Sequence, residues 1–146
     1  MIFRILSTHG ETRSISETAH PHNSGVNAWD FWGRFLITGG DDGAISITDL
    51  KNPVSQVYNF PGRHSAQIAG LRALPCHKSS LQSSVDSDRS DFLIVTASVD
   101  QRVTLWSVTN RGQELSKVHE VRMAKISFEH LFTYLQIFLL HIGVQW

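Results

Sequence analysis

FLIVTASVDQRVTLWSV, residues 92–108, is two apolar runs rich in β-branched side chains on either side of a polar turn at Val99, Asp100, Gln101 and Arg102. That is the pattern of a β-hairpin. A two-stranded unit apolar on both faces is not stable alone and has to bury those faces against further strands and a neighbouring sheet. The rest of the chain should therefore supply more of the same unit.

It does so upstream. FLITGGDDGAISITDL, residues 35–50, aligns with the hairpin when Asp42 is set over Asp100, which brings Thr38 over Thr96, Ile45 over Val103, Ile47 over Leu105 and Thr48 over Trp106. Ahead of each hairpin stands a histidine followed four residues later by a β-branched residue, His22 before Val26 and His64 before Ile68. The two histidines are separated by one repeat of roughly 40 to 45 residues, the length of a propeller blade. An internal repeat of this length, made of short strands and tight turns, predicts an all-β fold of stacked four-stranded sheets.

At these residues the chain resembles the WD-repeat family. The resemblance implies a hydrogen-bonded set inside each blade, made of a His before the first strand, a Thr or Ser on the second, an Asp in the turn and a Trp on the third. Here the complete set would be His64, Thr96, Asp100 and Trp106. The incomplete one would be His22, Thr38 and Asp42, with Thr48 where Trp is expected. Buried imidazole, carboxylate and indole groups each need a partner, so the complete set satisfies its own polar atoms and the incomplete one should be looser.

The expected organisation is a partial WD-repeat propeller. Residues 1–19 form an outer strand of a preceding blade and a polar connection, 20–60 a first repeat, and 61–108 a second repeat with a Ser-rich loop at 76–91. Residues 109–125 begin a further blade, and 126–146 form a divergent apolar tail. Two full blades and flanking pieces are too few for a closed ring, which takes about four to eight. Asp41, Asp42 and Gly43 give a strong hairpin signal, because Gly accepts the positive φ of a tight turn. Leu115–Met123 has the alternation of an outer strand and is expected to start the next blade.

Equal numbers of acidic and basic residues leave a formal net charge of zero, so no global field draws the chain towards a polyanion. The single Cys76 excludes an internal disulfide and suits a reducing compartment. The opening MIFRILSTHGETR has too short an apolar run for a signal peptide. The apolar tail is interrupted by Glu129, His130, Gln136 and His141, which argues against a membrane span; it reads as a helix or strand packing on the open end of the sheets or as a chain end that departs from the fold. A cytoplasmic protein without a membrane partner is expected.

Candidate chemistry is sparse. His20 and His22 could offer two imidazoles to a metal, but no second ligand pair lies at a suitable spacing, and neither a metal nor another cofactor is expected. Asp41 and Asp42 sit in a turn that favours Asp for backbone bonding. Gly39 and Gly40 precede a turn and not a helix, so they are no phosphate loop. His64 and Asp100 suggest a hydrolase pair only until the repeat is noticed, and no catalytic residue is assigned. The basic residues Arg102, Arg111, Lys117, Arg122 and Lys125 are diluted by Glu114 and Glu120 and read as a solvated edge. Trp29 and Trp32 are candidate partner contacts, with core packing as the competing use.

Within the WD-repeat family, the strings NSGVNAW, FLITGGDDGAISI, HSAQIAGLRAL and TASVDQRVTLW, covering about residues 20–108, look like the C-terminal blades of the adaptor subunits that partner FtsJ-like ribose methyltransferases. The resemblance implies a non-catalytic scaffold, a piece of a longer chain, that positions tRNA for 2′-O-methylation of the wobble nucleotide. Its partners would be the methyltransferase, tRNA and other proteins on the propeller face. The competing reading is a protein-interaction module with no RNA role.

Overall fold

The structure, a computed structural model, describes residues 22–51, 57–76 and 91–123. The expected strand at 1–7, His20, most of the Ser-rich loop and the tail at 126–146 lie outside the described residues. Two antiparallel four-stranded sheets make up the fold, each in simple sequential order. The first contains β1 (Val26–Trp32), β2 (Phe35–Gly40), β3 (Ile45–Asp49) and β4 (Val57–Phe60). The second contains β5 (Ile68–Pro75), β6 (Phe92–Ser98), β7 (Arg102–Thr109) and β8 (Glu114–Arg122). Among the described residues the fold is all-β, two propeller-like blades with no α-helix and no closed ring.

The repeat seen in the sequence is a repeat in register. Thr38 stands opposite Ser46 and Leu36 opposite Thr48, just as Thr96 stands opposite Thr104 and Ile94 opposite Trp106. Both first strands carry a register shift at the same place, between Val26 and Ala28 and between Ile68 and Gly70. The central strands β2 and β3 are buried along their whole length, while the edge strand β1 alternates between covered and open residues and the edge strand β8 is mostly exposed. Burial on both faces is why FLITGG and FLIVTAS read as continuous apolar runs.

The two sheets pack face to face. Phe35, Ile37, Ile45 and Ile47 of the first meet Ile68, Leu71, Phe92, Ile94, Trp106 and Val108 of the second in one core. Trp32 and Phe35 stack on Phe92, with ring centroids 5.9 and 5.8 Å apart. Trp32 is thus a core residue, and of the two tryptophans on β1 only Trp29 is exposed. Gly39 lets the sheets approach: a Cβ there would lie 2.6 Å from Cγ2 of Ile68. Residues of opposite parity in the second sheet, Leu74, Val95, Ala97, Val103 and Leu105, form a separate cluster on its other face.

One expectation differs from the structure. Residues 114–122 do not open a further blade; β8 is hydrogen-bonded along β7 as the fourth strand of the second sheet. The reason lies in the connection, where Asn110, Arg111 and Gly112 all take positive φ and reverse the chain within a few residues. So short a reversal joins antiparallel neighbours. Gly112 also rests against Ile47 and Phe35, pinning this turn to the first sheet.

Candidate functional site

Each blade brings a histidine from the segment before its first strand onto the middle of its second strand. In the second blade His64 Nε2 lies 2.8 Å from Thr96 Oγ1, and His64 Nδ1 lies 3.0 Å from Asp100 Oδ2. Trp106 Nε1 donates to the same Thr96 oxygen at 2.8 Å. In the first blade His22 Nε2 lies 2.9 Å from Thr38 Oγ1 and His22 Nδ1 lies 3.0 Å from Asp42 Oδ1. The structure therefore brings together His64, Thr96, Asp100 and Trp106, and separately His22, Thr38 and Asp42. Thr48, buried opposite Leu36, gives the first set no indole.

The direction of these bonds follows from counting protons. An indole N–H can only donate, so Thr96 Oγ1 accepts from Trp106 and its own hydroxyl proton must go elsewhere. His64 Nε2 is the nearer acceptor, since the Thr104 carbonyl oxygen is 3.5 Å away. Nε2 then carries no proton, Nδ1–H donates to Asp100, and the imidazole is neutral. Burial of the His64 ring pushes its pKa below 6.5, and the opposing charge of Asp100 does not restore it. The neutral tautomer is the one the electrostatics favour.

Asp100 holds three donors at once. It accepts from His64 Nδ1, from the Ser65 backbone N–H at 3.1 Å and from the Arg102 backbone N–H at 3.0 Å. Burial alone would raise its pKa, but the Ser65 N–H and the histidine outweigh it and hold the carboxyl below 3.8. Asp42 follows the same logic. Burial raises it, while the Ala44 N–H at 3.0 Å, His22 and the Asn23 backbone N–H bring it below 3.8. Its carboxylate side chain is 24% exposed, against 4% for Asp100.

Every ring nitrogen in the two sets already has a partner within the blade. Such an arrangement ties a loop to a sheet and offers no lone pair or proton to a substrate. Ser98, one turn away, reinforces the second loop by donating to the carbonyl oxygens of Ala66 and Gln67 and accepting from the Asp100 N–H. Among the described residues, no three His, Cys, Asp or Glu side chains are grouped so as to hold a metal ion.

Other residues singled out in the sequence are dispersed. Asp41 is exposed in the turn and accepts from the Asn27 side chain. Cys76 follows the end of β5 as a free thiol. Arg102 and Lys117 both lie near Glu120, at 3.8 and 3.3 Å, so this basic stretch is a mixed-charge edge. Lys125 lies outside the described residues. Asp30, read in the sequence only as an interruption of strand alternation, reaches across to the second sheet. It accepts from the Ala73 backbone N–H at 3.0 Å and lies 3.7 Å from the Arg72 guanidinium. A lone acid between two tryptophans was the available signal.

A comparison with protein families matches the WD domain, G-beta repeat, over residues 12–49 and 69–107, more than half of the chain. Among solved structures, the chain is similar to the computationally designed Ika8 protein at 15% identity and a TM-score of 0.32. That match covers 70% of this chain and 38% of the designed one, so the chain spans well under half of the designed protein's length. No curated protein matches the chain.

Proposed function

Because the chain belongs to the WD40-repeat family, whose members are protein-interaction scaffolds, we propose that it serves as a non-catalytic adaptor that helps hold tRNA for an FtsJ-like ribose methyltransferase. The observation that carries the non-catalytic part is the closure of both polar sets, in which His22 and His64 spend both ring nitrogens on their own blade. Catalysis by either pair would require a free nitrogen facing a substrate. The tRNA and methyltransferase part is supported by the NSGVNAW, FLITGGDDGAISI and VDQRVTLW strings, and it implies a cytoplasmic site of action.

The second reading is a protein-interaction module with no RNA role, favoured by the zero formal net charge and the mixed-charge edge along β8. One pair of measurements separates the two. The purified chain is titrated with an anticodon stem-loop over a range of salt, and a tagged chain is tested for recovery of an FtsJ-like methyltransferase. Recovery of the enzyme together with weak, enzyme-dependent stem-loop binding supports the adaptor. Stem-loop binding with a steep salt slope and no enzyme recovered counts against it, as non-specific phosphate attraction would behave that way.

A further inference from the structure

Arginine carries a planar fork of donors, accepts no hydrogen bond and never loses its charge, so a guanidinium drawn into a fold ordinarily meets a carboxylate. Three do so here. Arg34 lies 3.1 Å from Asp49, Arg72 3.7 Å from Asp30 and Arg102 3.8 Å from Glu120. Arg63 does not. It is only partly exposed, its Nε is buried, and that nitrogen has no hydrogen-bond partner. Among the described residues no acidic side chain pairs with it. Its Cζ lies instead 5.7 Å from the centre of the Phe60 ring and 5.8 Å from that of Trp106.

We propose that Arg63, at the junction of the two blades, is the receptor for a carboxylate presented by an acidic segment of a partner protein. Phe60 ends β4 and Trp106 lies on β7, so the two rings that hold the guanidinium come from different blades. Trp106 is itself fixed by its bond to Thr96, and the Arg63 backbone is set between Gly62 at φ 65 and the buried His64. The fork is therefore oriented before anything binds, which lowers the entropy lost on binding. One N–H is shut away from water and the charge has no counter-ion. An anion at the two terminal nitrogens thus gains more than it would beside a fully hydrated arginine. The edge next to it is also short of acid. Lys117 stands opposite Trp106 on β8 and Glu120 opposite Thr104, on the same face of the sheet. Glu120 is already shared by Lys117 at 3.3 Å and Arg102 at 3.8 Å, so it has no charge to spare for Arg63.

Charge selects the occupant. A phosphodiester strand would bring successive phosphates against Glu120, and a chain of zero formal net charge has no field to hold a polyanion. A single Asp or Glu side chain needs only the one fork, so an acidic protein segment is favoured over RNA. The inference rests on the interaction-scaffold reading and is independent of the tRNA part.

The test uses the whole chain and three probes: a capped nonapeptide alternating Glu and Gly, the same peptide with Gln in place of Glu, and a uridine octaribonucleotide. Titration calorimetry should show binding of the glutamate peptide alone, with a change in tryptophan emission because Trp106 lies against the guanidinium. Arg63→Gln should weaken it about tenfold, and Arg63→Lys, which keeps the charge without the planar fork, a few-fold. Lys117→Gln, on an exposed side chain, should weaken it about twofold and flatten its salt dependence. A melt of each variant within about 4 °C of the parent shows that the loss is not unfolding. The proposal is overturned by equal binding of the glutamine peptide, by glutamate-peptide binding indifferent to Arg63→Gln, or by no glutamate-peptide binding at about 1 mM. Uridine binding that Arg63→Gln abolishes would overturn it in favour of a phosphate site. Should both Arg63 variants fail to fold, an unchanged affinity and salt slope in Lys117→Gln overturns it instead. Absence of peptide binding with methyltransferase recovery intact would sink the carboxylate site and leave the scaffold reading standing.

Discussion

Replacing Asp100 with alanine should destabilise the protein more than the same replacement at Asp42. In the parent, Asp100 is the acceptor for the His64 Nδ1–H and for two backbone N–H groups. The His64 side chain has no exposed surface, so water cannot replace the lost carboxylate without opening the blade. A buried donor left unpaired costs about 1–3 kcal/mol, and the backbone donors near the surface regain part of their loss from solvent. The expected total is about 2–3 kcal/mol, or a fall in Tm of roughly 4–10 °C for a chain of this size. Asp42 accepts from His22, Ala44 and Asn23 but its side chain is a quarter exposed, so water can enter beside it and about 1 kcal/mol should suffice. Urea unfolding followed by circular dichroism gives both values under one condition, and equal m-values show that the unfolded states are comparable. If Asp42→Ala proved as damaging as Asp100→Ala, the difference in burial would not govern the energetics of the two blades.

Acid should act in two stages, and the sign follows from which state binds protons first. His64 titrates below 6.5 when folded, so its contribution is whole above about 6.5 and drains away as pH falls below that value, because the unfolded chain is protonated first. Asp100 and Asp42 lie below 3.8 when folded, so a second loss sets in near pH 4 and grows as pH falls through their folded values; a urea midpoint that rose on acidification would contradict both. The left-handed turn position is filled by Gly43 at φ 69 in one blade and by Gln101 at φ 68 in the other. Gln101→Gly should therefore stabilise by up to about 1 kcal/mol, whereas Gly43→Ala should destabilise by more than about 1 kcal/mol, since its Cβ would collide with the His64 carbonyl. Two melting curves check both signs.

What the sequence made legible was whatever repeats. Two hairpins with matching Thr and Asp positions, with a His four residues ahead of each first strand, marked the repeat, and the resemblance to WD repeats implied the partners of His64 and His22. The alignment also held a signal that was easy to pass over: Gln101 falls on Gly43, so a left-handed residue without glycine could have been inferred. Contacts that depend on how one sheet sits against the next were hidden. Asp30 looked like a flaw in the alternation of β1, and only the neighbouring Ala73 N–H explains it. Gly39 and Gly40 read only as residues leading into a turn, yet Gly39 admits Ile68, and a Cβ on Gly40 would lie 2.5 Å from His22 Nδ1. The strand at 114–122 was visible as a strand, while its sheet was not, because alternation reports faces and says nothing of neighbours.

The same contacts decide whether the two blades can be treated separately. In a repeat architecture, stability is approximately a sum of unit terms and nearest-neighbour interface terms. Here one interface contact lands on a polar set. The backbone N–H of His64 donates to the Gly43 carbonyl at 3.0 Å, and the Gly43 Cα approaches the His64 backbone closely enough to exclude any side chain. The tight turn of the first blade therefore buttresses the segment that delivers His64 to Thr96 and Asp100 in the second. A distortion of that turn shifts an imidazole whose two hydrogen bonds tolerate only a few tenths of an ångström, so damage at Gly43 should appear as loosening around Trp106 as well as around the turn itself. The incomplete set of the first blade lies beside the same turn, since Asp42 bonds both His22 and the Ala44 N–H. Weakness from the missing indole is consequently shared across the interface, and the complete set in the second blade is held only as firmly as the glycine turn of the first.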